Sequence, residues 1–261
     1  MEEKIKIADI TEDHLSESYH CGIKNPKHDG HQRKSRWMKT HFKHGLQAKV
    51  LLTEDSRQFG YIEYIPGKYA WRGVEAEGYQ FIHCIWTFYK KYQRKGCGRL
   101  LIQACIDDAR EKGMKGVAVL ARDRPWLAKK QLFLKCGFET VDRVPPDYDL
   151  LVKKFLRSSP DPRFKRGWEK KLKEYAKGLT IIRSDQCPHI AKFAGEIAEM
   201  AEETYDLKPR IVELKTYRDA QNAPTPYAVF AVIFEGKLLA DYQISRSRFR
   251  NIMEKILRLG K

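Results

Sequence analysis

Six cysteines stand in this 261-residue sequence, and no two form a CxxC. Cys21, Cys84, Cys97, Cys105, Cys136 and Cys187 are spread too widely for a zinc finger or a knottin, which excludes the small stapled classes. His20-Cys21 and His83-Cys84 lack a recognised ligand spacing, so no metal is expected. No apolar run approaches the roughly eighteen residues of a membrane span. The charged start MEEKIKIADI lacks the apolar core of a signal peptide. These absences predict a cytoplasmic protein with reduced thiols and no membrane contact. A GxxxxGK[ST] phosphate loop is missing, and after Gly96 and Gly98 the third position of a dinucleotide fingerprint is Leu101.

What is present is an ordinary globular composition, 42% hydrophobic, with a net charge of +16. Part of that excess is local. Residues 24–49 carry eight Lys/Arg against one acid, and residues 153–177 carry ten against three. Two solvated faces are the expectation. Nucleic acid is a partner the charge allows, but no zinc finger, RNP aromatic pair or helix-turn-helix supports it.

The pattern along the chain alternates strands and helices. IKIADI reads as a strand, followed by polar helical stretches to about His44 and a hairpin turning at Glu54–Gln58. EGYQFIHCIWTF is apolar on both faces, so it belongs at the centre of a sheet. Beyond it, Leu101, Ile102, Cys105, Ile106 and Ala109 mark one side of a helix. Gly116–Ala121 is a buried strand, and RPWLAKKQLFLKCG a helix with Pro125 in its first turn. FETVDRV and YDLLVKKF then close the unit. A basic connector with two prolines follows, and the pattern restarts. We therefore expect a first domain at 1–156, a helical linker at 157–178 and a second domain at 179–261.

Between the central strand and its helix lies YKKYQRKGCGRLL, Tyr89–Leu101. A strand, a glycine-rich turn and a helix present backbone N–H groups and a positive helix end to a phosphate. Gln93-Arg94-Lys95-Gly96-Cys97-Gly98 fits Q/R-x-x-G-x-G/A at every fixed position, and FLKCGFETV follows about forty residues on. On these features the first domain resembles the GNAT acyltransferase superfamily, an α/β fold with a mixed central sheet.

The resemblance implies acetyl-coenzyme A as donor and an amine, on a small molecule or a protein, as acceptor. It implies that strands 79–88 and 116–121 splay apart around the pantetheine. Backbone groups at Thr87 and Phe88 would polarise the thioester, and N–H groups of Arg94–Arg99 would hold the pyrophosphate. Lys90, Lys91 and Arg94 would add positive charge. The chain departs from the pattern at Phe133, where the family commonly has a tyrosine that protonates the leaving thiolate, and near Asp123, where an asparagine is common. Non-catalytic binding of acyl-coenzyme A, and modification of an RNA-associated protein through the basic surface, are the alternatives. For a general base the candidates are His83 and Glu63. Tyr61, Tyr64, Tyr69 and Trp71 are candidates for an acceptor wall.

In the second domain, SDQCPHIAKF places Cys187 at a helix mouth, and Thr225-Pro226 precedes a hydrophobic hairpin. With a β-α-β then β-β-α order, this resembles a thioredoxin-like module of the YoaP type. The resemblance implies that Pro226 is a cis-proline facing the Cys187 thiol. Ile190 stands where a resolving cysteine would be, so a dithiol cycle is not expected.

Overall fold

Apolar residues on both faces of a strand require cover on both sides, and the segment expected at the centre of the sheet lies there. The computed structural model describes residues 4–259. Its two compact units comprise the residues up to 70 with 74–165, and residues 71–73 with 166 onward.

In the first unit β1 (Lys6–Asp9) leads to helix α1 (Asp29–Phe42). The hairpin β2 (Gln47–Leu52) and β3 (Gln58–Pro66) follows, then β4 (Val74–Glu75) and β5 (Tyr79–Thr87). Helix α2 (Cys97–Glu111), β6 (Gly116–Ala121) and α3 (Lys130–Leu134) come next. β7 (Glu139–Val144), β8 (Tyr148–Lys154) and β9 (Arg163–Phe164) complete the unit, with β9 paired to β4. Seven strands form one sheet in the order β1-β2-β3-β5-β6-β8-β7, with β5 in the middle. Only β5 and β6 pair in parallel there; the other neighbours are antiparallel.

The predicted apolar side of α2 packs on one face of this sheet. Leu101, Ile102, Cys105, Ile106 and Ala109 join Phe59, Ile62, Ile82, Val117 and Leu151 in a solvent-free cluster. Each such aliphatic side chain contributes about 1.5–3 kcal/mol by leaving water. Helix α3 is shorter than expected. Trp126 takes a left-handed φ of +76°, which an α-helix starting at Pro125 cannot contain, so regular helix begins only at Lys130.

The second unit contains α4 (Trp168–Leu172), β10 (Leu179–Arg183), α5 (Ile190–Tyr205) and β11 (Arg210–Glu213). Then come α6 (Tyr217–Asn222), β12 (Phe230–Phe234), β13 (Lys237–Ala240) and α7 (Arg246–Leu259). Its sheet runs β11-β10-β12-β13, with β10 parallel to β11 and the rest antiparallel. That is the expected thioredoxin-like order with one added helix, α6. A capping box starts α6: Thr216 accepts from the Asp219 N–H, and Asp219 accepts from the Thr216 N–H. Among the described residues no helix is long and apolar enough to cross a membrane.

Candidate active site

The parallel pair at the centre of the sheet separates halfway along. β5 and β6 are in register from Tyr79–Gly116 to Ile82–Val119, and pairing ends there although β5 continues to Thr87. At the same place β5 carries an irregularity. Glu63 faces Cys84 and Tyr64 faces Ile82, so His83 is the extra residue of a bulge. A bulge increases twist and bends its strand, which is a local reason for β5 to leave β6.

The basic turn lies at the open end of that strand. Arg94 and Gly96 both adopt left-handed φ, +62° and +81°. The first helical bond of α2 runs from Leu100 N to Gly96 O (3.0 Å), so the N–H groups of Cys97, Gly98 and Arg99 precede it. Space is open where a Gly96 side chain would be, whereas a Cβ on Gly98 would come within 3.1 Å of Leu132. Lys90, Lys91, Gln93, Arg94, Lys95 and Arg99 are all exposed. Phosphate-sized anions suit this combination of oriented donors, positive helix end and lysine-rich rim.

Of the two backbone positions expected to meet the acyl group, one is already engaged. Phe88 N donates to Phe59 O at 2.8 Å, so its N–H points to β3. Alternation along an antiparallel strand turns the Thr87 backbone to the opposite edge, the one β6 has left. The expectation for Phe88 as a donor is corrected on that ground, and Thr87 is the better placed group.

The two candidate bases belong to a buried network. Glu63 Oε2 accepts from Tyr61 (2.6 Å) and lies 2.5 Å from Lys34 Nζ; Glu63 Oε1 lies 3.3 Å from His83 Nδ1. Lys34 comes from α1, and its ammonium sits 4.0 Å from the centre of the Trp37 ring. Burial alone would raise the Glu63 carboxyl, but the Lys34 charge and the His83 ring beside it outweigh that and hold it below the usual carboxylate range. Glu63 is thus an anion fixed on three partners, suited to orienting His83 more than to taking a proton from an acceptor. Next to it, the His20 ring lies tilted against His31 at 4.3 Å, and burial followed by repulsion from His31 pushes His20 down to about 3.

Sequence reasoning missed Lys34 because the buried side of α1 is polar. Gly30, His31, Lys34, Trp37, Met38 and His41 recur at helical spacing, but hydropathy does not mark lysine and histidine as interior. Of the aromatic candidates, Tyr61 and Tyr64 do not share a face of the sheet. Tyr64 is in the α2-side core with its hydroxyl donating to Asp108 Oδ2 (2.6 Å), Tyr69 stacks on His44 at 4.7 Å, and Trp71 belongs to the second unit. Strand alternation separates them: Tyr61 and Glu63 face α1, whereas Ile62 and Tyr64 face α2. Phe133 is wholly buried against Phe138 and brings no hydroxyl to the site.

In the second unit Cys187 lies one turn before α5, not inside it, since Ile190 N donates to Cys187 O (3.2 Å) and the cap is His189. Gln243 Nε2 approaches the Cys187 Sγ at 3.5 Å, and Tyr227 donates to Gln243 Oε1 at 3.3 Å. Pro226 is buried next to Tyr227, but the cis peptide among the described residues is Pro145-Pro146. The cis-proline expectation is therefore corrected. Ile190, in place of a second thiol, is fully buried in the α5 core face.

Residues 9–138 match the Acetyltransferase (GNAT) family, and residues 210–251 match the family described as YoaP-like. The chain is 27% identical to the "Uncharacterized N-acetyltransferase YoaP" of Bacillus subtilis (strain 168) over 252 residues, covering 95% of this chain and 98% of that protein. Among solved structures, a GNAT family N-acetyltransferase (YhbS) from Escherichia coli in complex with CoA is 14% identical, at a TM-score of 0.41. It covers 62% of this chain and 90% of its own. The structure of yncA from Salmonella typhimurium with its cofactor acetyl-CoA is 19% identical at a TM-score of 0.43 and covers 60% and 98%. These structural likenesses are too distant to assign a fold; the sheet order and the sequence matches do that. The chain carries a GNAT-family acetyltransferase domain followed by a YoaP-like domain.

Proposed function

We propose that the first unit transfers an acetyl group from acetyl-coenzyme A to an amine by direct attack. The observation that carries this reading is the departure of β5 from β6 beyond Ile82–Val119, beside the Gln93–Gly98 turn. Oriented N–H groups at Cys97–Arg99 and exposed Lys90, Lys91, Arg94 and Lys95 fit the pyrophosphate, with Gln93, Gly96 and Gly98 shaping the turn. The Thr87 backbone borders the acyl end. When bound, acetyl-coenzyme A supplies an activated thioester with a thiol as leaving group.

His83 is the group we assign as general base. Glu63 holds its Nδ1 side, and Lys34 keeps Glu63 ionised. Because His83 is buried, the proton of the acceptor reaches it through a bound water. No tyrosine stands at Phe133, so the departing thiol, with an ordinary pKa of about 8.5, leaves without a side-chain acid there. The name of the Bacillus subtilis relative, an N-acetyltransferase, is in keeping with this reading. The acceptor is an amine on a small molecule or protein, and we place the protein in the cytoplasm.

The test is release of free coenzyme A from acetyl-coenzyme A with a panel of amines: a polyamine, an aminoglycoside and a lysine peptide. Amine-dependent release, lost in Gly98→Trp, is expected. Tight binding of acetyl-coenzyme A with no release above the amine-free rate would replace the transferase with a binding protein.

A further inference from the structure

Cys21 Sγ and Cys84 Sγ lie 3.4 Å apart, although 63 residues separate them in the chain. At that distance the two sulfurs touch with nothing between them. A disulfide needs about 2.05 Å, so closing it requires a movement of roughly 1.4 Å shared by two side chains.

The turn that carries Cys21 is built in an unusual way. His20 N donates to Ile23 O (3.2 Å) and Ile23 N to His20 O (3.0 Å), which makes Cys21-Gly22 a two-residue reversal. Both central residues have positive φ, +51° and +90°. Turns of that kind take Asn, Asp or Gly at the first central position, because an L side chain with a larger Cβ environment is strained there. A cysteine holds the position here, and its side chain is aimed at the strand. A Cβ on Gly22 would face the Phe88 ring at 3.9 Å, so the same turn rests against the end of the β5 segment.

The partner thiol is equally constrained. Cys84 follows the bulge residue His83 and faces Glu63 across the β3–β5 ladder. The bulge lets the side chains of His83 and Cys84 turn to the α1 side together. Tyr61, hydrogen-bonded to Glu63, is close enough to both cysteines that a thiolate at either would oppose its ionisation. Neither Cys21 nor Cys84 is fully buried, whereas Cys97 and Cys105 are. Cys187 belongs to the second unit.

We propose that Cys21 and Cys84 are a reversible dithiol–disulfide site oxidised by hydroperoxides. The thiolate of one attacks hydrogen peroxide: an S–O bond forms, the O–O bond breaks and hydroxide leaves, giving a sulfenic acid. The second thiolate attacks that sulfur: the S–S bond forms, the S–O bond breaks and hydroxide leaves again. With the two thiol protons, the balance is two thiols and one peroxide giving one disulfide and two waters. The bond fastens the His20–Ile23 turn to β5 next to His83. This site rests on the two thiols and does not depend on the transferase reading.

The test treats the reduced full chain with equimolar hydrogen peroxide, blocks remaining thiols with iodoacetamide, and maps the digest without reduction. A cross-linked peptide joining Cys21 to Cys84, two hydrogens lighter than the sum of its parts, is expected, and dithiothreitol should restore both thiols. Alkylatable thiol should disappear at Cys21 and Cys84 about tenfold faster than at buried Cys105. In at least one of Cys21→Ser and Cys84→Ser, the remaining cysteine should stop at a sulfenic acid that dimedone traps. The proposal is overturned if the wild-type protein yields dimedone adducts at either cysteine without the cross-link. It is equally overturned if both remain as slow to oxidise as Cys105. Both measurements on the wild-type chain stand even if a variant fails to fold.

Discussion

Lys34 Nζ and Glu63 Oε2 meet at 2.5 Å with both side chains shut away from solvent, joining α1 to the central strands of the first unit. Removing one partner strands the other as a buried charge. Lys34→Met should cost about 3–5 kcal/mol in urea unfolding, far more than an exposed ion pair. The pair replaced together, Lys34→Met with Glu63→Met, should lose less than Lys34→Met alone. Equal or greater loss in the double variant would show that the packing of the two stems, not their charge, holds α1 in place.

Acid should unfold the first unit early. Glu63 titrates below its ordinary 4.5 in the folded state, so its contribution is full above that value and is lost as pH falls. His20 at about 3 and His41 at about 4 lie below the unfolded 6.5, mainly through burial. Between those values and 6.5 the unfolded chain binds protons first, so stability falls as pH drops, by at most about 1.4 kcal/mol per pH unit for each histidine. A urea midpoint that is flat above pH 7 and declines steadily from pH 6.5 to 4 is the expected result. A midpoint independent of pH over that range would remove the buried neutral histidines from the account.

His83→Ala should lower acetyl transfer about 10²-fold or more at neutral pH with little change in acetyl-coenzyme A affinity. The pH–rate profile should lose its acid limb in the same variant. A loss of only a few-fold, with the unfolding midpoint lowered, would make His83 a structural member of the Lys34–Glu63 network.

At the anion turn the two glycines should behave differently. Gly98→Trp has Leu132 against it and projects into the turn, so calorimetric titration should show acetyl-coenzyme A binding abolished. Gly96→Ala meets no neighbour but places an L residue at φ +81°, which costs about 1–2 kcal/mol of stability. Unchanged binding in Gly98→Trp would separate this turn from the coenzyme. Dephospho-acetyl-coenzyme A should bind the wild type less well than acetyl-coenzyme A.

Cys187 should react with a brief iodoacetamide pulse faster than Cys105. The former is partly exposed beside Gln243; the latter is enclosed in the α2 core, where burial pushes its thiol well up. Site-by-site mass spectrometry reads both. Equal labelling would mean that the Cys187 sulfur is closed off. Without a second thiol at Ile190, the second unit holds no dithiol, so Cys187→Ser should leave any insulin-disulfide reduction by the chain unchanged.

What the sequence determined by itself was local and periodic. Residues 79–88 are apolar on both faces and had to lie inside a sheet. The spacing of Leu101, Ile102, Cys105, Ile106 and Ala109 defined a helix face, and Gln93–Gly98 stated its turn chemistry directly. The Thr216–Asp219 capping box was also written there, though short helices give too little periodicity to draw attention to it. Tertiary structure decided what depends on pairing between distant segments. One bulge at His83 turns both His83 and Cys84 toward α1, bends β5 from β6, and brings Cys84 to Cys21. Register also put Tyr64 in the core and gave the Phe88 N–H to Phe59, because a shift of one residue along a strand exchanges its two faces and its two edges. Lys34 found Glu63 from a helix whose interior side is polar, and only the fold could show that side to be interior.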